Sequence, residues 1–448
     1  MRTSYFREVW NIAKPLVLQY LFESVLYVAD TLFVAGLGKI ALDAVATALY
    51  LCYLIQYPMN ACLLSSFTTY VSQAWGSRDL NSIVDMFGKA FTTALLAGSL
   101  SATISYTVSR YLIEFVYPSA AVVKLGLEYF KYVVLAFPGS SLFITYMAFL
   151  YGIGRTRDAT ICWIMSDIIN IILDPLLIYT LRMGVVGAAL AFVISIYSVI
   201  PFFHIILRRY VPLRIRIRRP DMIVLKLVKN VGLPISVERA VVSLLYTSYA
   251  AIIGRYGVEA YTAYQLGLRI ESFIYMPLLA YRDTANILIG QRVGAERIEE
   301  LPEILRTCEL LAVATVVVAS VLTLGFTLLL MNIMLPELFE HIQTLVLLYL
   351  LFASLSDVGL ALKLSCIGAY QAIGKTLIST VVDIASMGLL RVVPSLAFYM
   401  MRLPILAVWL TMSIDTATCG LALTLLFVKR LYREPVKFVK SCMSEVSS

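Results

Sequence analysis

The sequence is poor in charge: Lys, Arg, Asp and Glu make up 14% of its 448 residues, whereas hydrophobic residues make up 60%. A soluble globular chain carries about 25% charged and about 45–50% apolar residues, because its surface has to be polar. The composition therefore excludes a soluble enzyme, a disordered scaffold and a nucleic-acid-binding domain. It favours an all-α polytopic membrane protein, since the apolar runs are too long for barrel strands.

The chain also has few of the residues that build metal and redox sites. It contains two histidines, His204 and His341, too few for an ordinary zinc or haem site. Its seven cysteines are scattered without a Cys-X-X-Cys pair, which predicts neither a disulfide framework nor a metal cluster. We therefore expect no bound cofactor. The basic, aromatic start lacks a small-residue cleavage site and is interpreted as a retained first span.

Twelve apolar stretches are long enough to cross a membrane as helices, for which about 20 residues are needed. The third and fourth are separated around Pro118. The predicted spans are 10–36, 44–74, 86–109, 122–152, 158–181, 185–207, 226–254, 259–290, 303–333, 340–371, 376–401 and 404–429. About 24 of the 36 Lys and Arg residues lie at one set of span ends. The positive-inside rule then predicts that both termini lie in the cytoplasm. We expect a multi-pass protein of the plasma membrane.

The two halves of the sequence are related by an offset of about 219 residues. Pro15 aligns with Pro234 and Gly38 with Gly257 at 219, while VSQAWGSRDL (71–80) aligns with IGQRVGAERI (289–298) at 218. Each repeat holds six spans, so the halves share one orientation about an axis along the membrane normal. The predicted organisation is an N-lobe (1–207), a basic cytoplasmic linker (208–225), a C-lobe (226–430) and a cytoplasmic tail (431–448).

Two other sequence features bear on partners. The Gly-Lys-Thr at 374–376 lacks the glycine that a phosphate-binding loop requires at 369 and follows no strand, so ATP is not expected to drive the protein. The stretch 208–221 is the most basic in the chain. We interpret it as a linker that fixes topology, with contact to anionic lipid as the alternative.

Ionisable residues inside spans are costly and mark functional sites. Deep inside the spans of the N-terminal half we find only acids, namely Glu23, Asp30, Asp167 and Asp174, and no Lys or Arg. The spacing predicts one acidic stripe of Glu23, Tyr27 and Asp30 on the first helix. A second stripe of Asp167, Asn170 and Asp174 follows on the fifth helix, with Asp167 expected to face cytoplasmic water. Pro175 removes a helical hydrogen bond beside Asp174.

Carboxylates buried without a cation survive by taking up a proton or by binding a metal ion, for which oxygen ligands favour Na⁺. Asp30, Asn170 and Asp174 align with Tyr249, Leu390 and Pro394 in the second half, which therefore lacks this set. The C-terminal spans instead carry six acids and five bases, and we expect them to form ion pairs or to extend their charged ends to the membrane interface. They are Glu238, Glu271, Asp283, Asp357, Asp383 and Asp415, with Arg239, Arg269, Arg282, Lys363 and Arg391.

Several segments in this order carry a family resemblance. They are VADTLFVAGLGKIALDAVATA (28–48), VSQAWGSRD (71–79), YGIGRTRD (151–158), INIILDPLLIYTLRMGVVGAALA (169–191), VGLPISVERA (231–240), GRYGVEAYTAYQLGLRI (254–270), IGQRVGAER (289–297) and AYQAIGKT (369–376). The chain resembles the multidrug and toxic compound extrusion (MATE) transporters over most of its length. The resemblance implies a V-shaped pair of six-helix bundles that exports organic, often cationic, compounds in exchange for H⁺ or Na⁺.

In the branch of this family with an N-lobe site, the resemblance assigns cation binding to Asp30, Asn170 and Asp174. A sixth-span Thr that often joins them is replaced here by Phe192, with Ser195 and Ser198 nearby; ITYM (144–147) stands where fourth-span asparagines are common. Another branch uses C-lobe acids, for which Glu238 and Asp357 are the candidates, each with a base (Arg239, Lys363) to neutralise it. Aromatic and methionine side chains suit a cavity for flat cations. The candidates are Tyr27, Tyr246, Tyr275 and Met276.

The favoured hypothesis is thus a monomeric, cation-coupled exporter of small organic compounds. A lipid-linked oligosaccharide flippase of the same wider superfamily is the alternative, because Arg239, Arg269, Arg282 and Arg391 could hold a pyrophosphate. An intramembrane enzyme is disfavoured, since the chain lacks the histidines of common catalytic sites.

Overall fold

Twelve long helical segments make up almost all of the structure, a computed structural model that describes residues 3–116, 119–213, 217–334, 340–433 and 435–439. Within these ranges the chain contains no strand. The segments are α1 Thr3–Ala35, α2 Lys39–Gly76, α3 Leu80–Val116, α4 Ala120–Val133 with Ala136–Gly152, α5 Thr156–Thr180, α6 Gly184–Leu207, α7 222–254, α8 Val258–Gly294, α9 Leu301–Met334, α10 Glu340–Ala372, α11 Thr376–Met400 and α12 Ile405–Arg433. Pro118 and tail residues 440–448 lie outside the described ranges.

The segments correspond one to one to the twelve predicted spans. Among the described residues, nine helices are long and apolar enough to cross a membrane, and the two parts of α4, bent by 48° at their junction, form a tenth. The remaining two are α7, which carries Glu238 and Arg239, and α8, which carries Glu271 and Asp283. Their extra charge lowers their apolarity without shortening them.

Large apolar side chains cover the outer faces of these helices. Phe115 is 86% exposed, and Leu322 and Leu425 are each 67% exposed. An aqueous surface would not tolerate so many exposed apolar groups, whereas lipid tails solvate them at no cost. The exposure pattern agrees with a chain that spans a bilayer.

The internal repeat is visible in the backbone φ angles as well as in the amino-acid sequence. Among the described residues, four residues other than glycine have positive φ: Arg78, Arg182, Glu296 and Arg402, at 54–61°. Arg78 and Glu296 are 218 residues apart, and Arg182 and Arg402 are 220 apart. Such values are rare for side chains with a Cβ, so their recurrence at the repeat offset shows that both halves build the same turns. Glycines with positive φ recur likewise: Gly38 with Gly257, and Gly154 with Gly374.

Short π-helical turns interrupt four of the described segments, and three of them lie just before a proline. The turns at Cys52–Gln56, Val228–Gly232 and Met387–Val392 end two residues before Pro58, Pro234 and Pro394. A proline has no N–H to donate and its ring crowds the carbonyl four residues earlier. A wider turn at that point relieves the crowding and keeps the helix continuous.

The chain packs as two compact units. The N-terminal unit contains Phe22–Ser236, and the C-terminal unit contains Met1–Leu21 together with Val237–Ser441. Both boundaries fall inside continuous helices, α1 and α7, so each of these helices contributes residues to both units. The linker residues that the structure describes pack with the N-terminal unit, where Lys89 forms an ion pair of 2.6 Å with Asp221.

Each unit has its own apolar core. In the N-terminal unit, Phe130 meets Phe137 edge to face with ring centroids 6.2 Å apart. In the C-terminal unit, Tyr349 contacts Tyr264 at 5.5 Å and Trp409 at 5.6 Å, again edge to face. Pairs of this geometry contribute about 0.5–1.5 kcal/mol beyond the area they bury.

Candidate cation-coupling site

The stripe predicted on α5 is buried along its whole length. Asp167 is 6% exposed, and Asn170 and Asp174 are each 3% exposed. The spacing of three and four residues places them on one helix face, and that face is turned into the N-terminal unit. The expectation that Asp167 faces cytoplasmic water is therefore wrong, because neighbouring residues cover its side chain.

The first and fifth helices bring two carboxyl groups together. The side chains of Asp30, on α1, and Asp174, on α5, are in hydrogen-bonding contact. Two ionised carboxylates repel each other and neither has a hydrogen to donate, so such a contact requires a proton on one of them. The arrangement can hold a proton between two oxygens from different helices.

A further acid, Asp167, lies close enough to this pair to interact with its charge. Asp167 interacts with the charges of both Glu23 and Asp30. One oxygen of Asp30 and one of Asp167 are buried without a hydrogen-bond partner. Among the described residues, no lysine or arginine forms an ion pair with Asp30, Asp167 or Asp174. The site therefore concentrates negative charge or protons.

The C-terminal ends of α1 and α5 are joined next to the carboxyl pair. The Tyr179 hydroxyl donates a hydrogen bond of 2.5 Å to the carbonyl oxygen of Phe33, one turn beyond Asp30. Gly36 allows this approach, because a Cβ at that position would overlap the Tyr179 hydroxyl. Tyr179 itself lies in a π-helical turn that begins directly after Pro175, which was predicted to disturb the helix here.

The N-terminal unit also contains a hydrogen-bonded network of uncharged polar side chains. It was not predicted from the sequence, because only charged residues inside the spans were considered. Gln56 Nε2 donates to Ser141 at 3.1 Å and to Asn60 at 3.0 Å, and its Oε1 accepts from Ser101 at 2.5 Å. Asn60 in turn donates to Ser140 at 2.7 Å. The network links α2, α3 and α4. Its sequence signal is the run of uncharged polar residues inside predicted spans.

The serines of the sixth span donate their hydroxyl hydrogens to backbone carbonyls of α6 itself. Ser195 donates to the Phe192 carbonyl at 2.8 Å, and Ser198 donates to the Ser195 carbonyl at 2.9 Å. Such back-bonding is common for serine in helices and leaves only lone pairs for another ligand. Tyr27 lies in α1, but its side chain is outside the described set.

The prediction that C-lobe charges form ion pairs is confirmed for three of the acids. Lys363 pairs with Asp383 at 2.5 Å, Arg391 with Asp415 at 3.0 Å and Arg282 with Asp283 at 2.9 Å. Glu238 accepts a hydrogen bond from Thr380, and Glu271 accepts one from Tyr349. These contacts satisfy most of the buried C-lobe carboxylates inside the protein.

Asp357 departs from the expected pairing. It is 1% exposed, and both its carboxylate oxygens are buried without a hydrogen-bond partner. The base proposed to neutralise it, Lys363, is committed to Asp383. Arg269, counted among the C-lobe bases, has an exposed side chain. The near balance of charge in the sequence therefore does not extend to the buried interior of the C-terminal unit.

One candidate substrate residue already has a cationic partner. The Arg391 guanidinium lies 5.4 Å from the Tyr246 ring centroid and 5.8 Å from that of Tyr249. Arg391 thus engages the ring that was expected to receive a substrate cation. Tyr275 and Met276 are half-buried on α8.

Within the described ranges, no three histidine, cysteine, aspartate or glutamate side chains are grouped so as to hold a metal ion. The prominent acidic feature of the N-terminal unit is therefore the pair Asp30 and Asp174. Asn170, one turn before Asp174, is the nearest amide on the same face.

Comparison with protein families identifies the chain. The MatE family model matches residues 15–176 and again residues 234–396. The matches start 219 residues apart, which is the offset of the sequence repeat. The chain belongs to the MatE family. Membership confirms the MATE resemblance and makes this protein a membrane transporter rather than an enzyme, of a family that needs no cofactor.

Relatives in bacteria cover much or nearly all of this MATE protein. A probable multidrug resistance protein NorM from Thermotoga maritima is 24% identical over 422 residues, which cover 91% of this chain and 89% of that protein. A probable multidrug resistance protein YoeA from Bacillus subtilis is 25% identical over 316 residues, 68% of each chain.

Solved structures support the fold. A multidrug resistance MATE transporter of the MOP superfamily matches with a TM-score of 0.88 at 19% identity over 96% of both chains. A MOP superfamily transporter from Pyrococcus furiosus, described as having a binding pocket of reversed polarity, matches with 0.87 at 19% identity and the same coverage. The prediction of twelve transmembrane helices in two six-helix bundles is confirmed.

Proposed function

We propose that this protein exports small organic compounds, many of them cationic, in exchange for protons that enter the cell. The observation that carries the proposal is the contact between Asp30 and Asp174, two buried carboxyl groups from different helices with no lysine or arginine of the described residues paired to them. The names of relatives as multidrug resistance proteins support the substrate class. The protein works as a plasma-membrane monomer with cytoplasmic termini and without ATP.

The chemistry of the pair suggests how exchange works. With one shared proton, Asp30 and Asp174 together carry a single negative charge. A second proton from outside neutralises that charge and removes the attraction for a substrate cation. By linkage, the proton and the substrate each weaken the binding of the other, which is the condition for antiport.

The two acids near the pair extend its field. Glu23 and Asp167 add negative charge that attracts cations toward the site. Asp167 interacts electrostatically with both Glu23 and Asp30. Asn170 supplies an amide on the same face as Asp174 and can hydrogen-bond a carboxyl group in either protonation state. These three residues tune the site, whereas Asp30 and Asp174 carry the proton.

Sodium is the competing coupling ion. It would need several oxygen ligands at once, and Asp30, Asn170 and Asp174 are the candidates. The hydrogen-bonding contact between the two carboxyl groups favours a proton, because a hydrogen bond between two carboxyl groups needs one. Aromatic and methionine side chains, Tyr27, Tyr246, Tyr275 and Met276, remain candidates for the substrate cavity.

The flippase alternative depends on basic residues free to hold a pyrophosphate. Of its four arginines, Arg282 is paired with Asp283 and Arg391 with Asp415. Two of the four are thereby committed to carboxylates of the C-terminal unit. We therefore favour the exporter over the flippase.

Proteoliposomes with separately imposed gradients test the proposal. Efflux of the dye ethidium should follow an inward pH gradient and should not follow a Na⁺ gradient at constant pH. Asp30→Asn and Asp174→Asn should each lower pH-driven efflux at least tenfold. Asp79→Asn is the matched control: Asp79 caps α3 through the Ser82 N–H outside the spans, and asparagine also caps helices. Efflux driven by Na⁺ alone, or retained in both pair variants, would overturn the proposal.

A further inference from the structure

Helix α1 physically connects the two packed units. Its residues up to Leu21 pack with the C-terminal unit, and its residues from Phe22 pack with the N-terminal unit. Asp30 lies in the second part. The helix is continuous from Thr3 to Ala35, so the two parts are joined by helical backbone and not by a flexible loop.

The stretch of α1 between the two units is stiff. Residues 16–35 contain neither proline nor glycine, the residues at which helices usually kink. The single proline of the helix, Pro15, precedes this stretch. A displacement at Asp30 therefore moves the whole stretch, including the turn around Tyr20.

Tyr20 fixes the near end of this stretch to the C-terminal unit. Its hydroxyl donates a hydrogen bond of 2.7 Å to Asp283 Oδ2 on α8, and both side chains are buried. The other oxygen of Asp283 accepts from Arg282 Nε at 2.9 Å, which holds the carboxylate in place. At the start of α1, Glu8 is bound through both oxygens by Arg292, also on α8.

The two anchors act at different distances from the proton site. Glu8 precedes Pro15 and is separated from the stiff stretch by it, whereas Tyr20 lies within the stretch. At 1.5 Å per residue, Tyr20 is about 15 Å along the helix from Asp30. The Tyr20–Asp283 bond is thus a buried polar contact, within the stiff stretch, through which a movement of α1 can be transmitted to α8.

We propose that the Tyr20–Asp283 hydrogen bond is a positioning pair, which couples protonation of Asp30 and Asp174 to movement of the C-terminal unit. This inference rests on the proposed proton-coupled export. With the bond in place, repacking of α1 after protonation is transmitted to α8. Without the bond, α1 moves at Asp30 but α8 does not follow. Protons then cross the membrane without export of substrate.

The ratio of protons to dye molecules transported separates coupling from stability. Tyr20→Phe should raise the number of protons entering per ethidium exported at least threefold, measured with a trapped pH indicator in proteoliposomes. Tyr281→Phe is the matched control, because it removes another buried tyrosine hydroxyl of the C-terminal unit, bonded to Thr315 at 2.6 Å. Its ratio should equal that of the wild type, even if its rate falls.

A second variant tests the same bond from the other side. Asp283→Leu should raise the ratio as Tyr20→Phe does, and the double variant should raise it no further. A wild-type ratio in Tyr20→Phe or Asp283→Leu would overturn the inference. A wild-type protein that moves no protons with ethidium would instead overturn the proposed function, so the two failures are distinguishable.

Discussion

Tyr179 on α5 donates its hydroxyl hydrogen to the carbonyl of Phe33 on α1 at 2.5 Å, directly beyond the carboxyl pair of the same two helices. The bond ties the ends of the helices that carry Asp174 and Asp30. Tyr179 passes over Gly36, where only a hydrogen leaves room for it. The two helices are therefore in close contact beside the two carboxyl groups.

Gly36→Ala should disturb this contact. The added methyl group overlaps the Tyr179 hydroxyl and displaces it from Phe33, at a cost of about 1 kcal/mol, the net value of one hydrogen bond. We expect a lower melting temperature in detergent and a lower rate of pH-driven efflux.

Tyr179→Phe provides the compensating variant. Phenylalanine lacks the hydroxyl that the Gly36→Ala methyl group meets, so the double variant should be no less stable than Tyr179→Phe alone. Additive losses in the double variant would show that the two residues do not interact as described.

Lys363→Met should be strongly destabilising. It leaves Asp383, whose side chain is 4% exposed, without the ammonium group that lies 2.5 Å away. Breaking a buried ion pair from one side costs about 3–5 kcal/mol. The double variant Lys363→Met/Asp383→Leu should recover most of that loss in a thermal unfolding assay, because it removes the uncompensated charge; equal destabilisation of both variants would contradict the pairing.

Gln56→Leu should destabilise the N-terminal unit by about 1–3 kcal/mol. The side chain of Gln56 satisfies Ser101, Ser141 and Asn60 at once, and leucine would leave these buried polar groups without their partner. Gln56→Glu keeps the acceptor for Ser101 but loses the donors and adds an ionisable group inside a span, so it should also lower the stability. A wild-type melting temperature for Gln56→Leu would show that water replaces the lost bonds.

Asp357→Asn tests whether the proton-coupling site lies in the N-lobe or in the C-lobe. Asparagine removes the charge of a buried carboxylate that has no hydrogen-bond partner for either oxygen. Because coupling is assigned to Asp30 and Asp174, we expect the proton-to-dye ratio of this variant to match the wild type. Loss of pH-driven efflux in Asp357→Asn, with retention in Asp174→Asn, would move the coupling site to the C-lobe.

Much of the architecture could be predicted because a bilayer imposes simple rules. Span length and the internal repeat are local or periodic in sequence, and the twelve helices match them. The contact of Asp30 with Asp174 was also predictable in outline, since both stripes are acidic and nothing in the same spans neutralises them.

Other features depend on packing between distant segments. The sequence repeat divides the chain at the linker, and only the three-dimensional contacts show that the starts of α1 and α7 pack with the opposite halves. The number of charged residues likewise could not show that Lys363 forms its ion pair with Asp383 and not with Asp357. Which pair forms depends on distances across three helices. The Gln56 network was missed because uncharged polar residues inside spans resemble ordinary helix composition.

The shared proton of Asp30 and Asp174 is the central claim, and proton release on substrate binding tests it most directly. Ethidium is added to purified protein in weakly buffered detergent solution, and the released protons are counted with a pH indicator across a range of pH. The account predicts a maximum of about one proton released per ethidium bound by the wild type, since the pair changes by one charge. It predicts almost none from Asp174→Asn. Equal release from both proteins would contradict it.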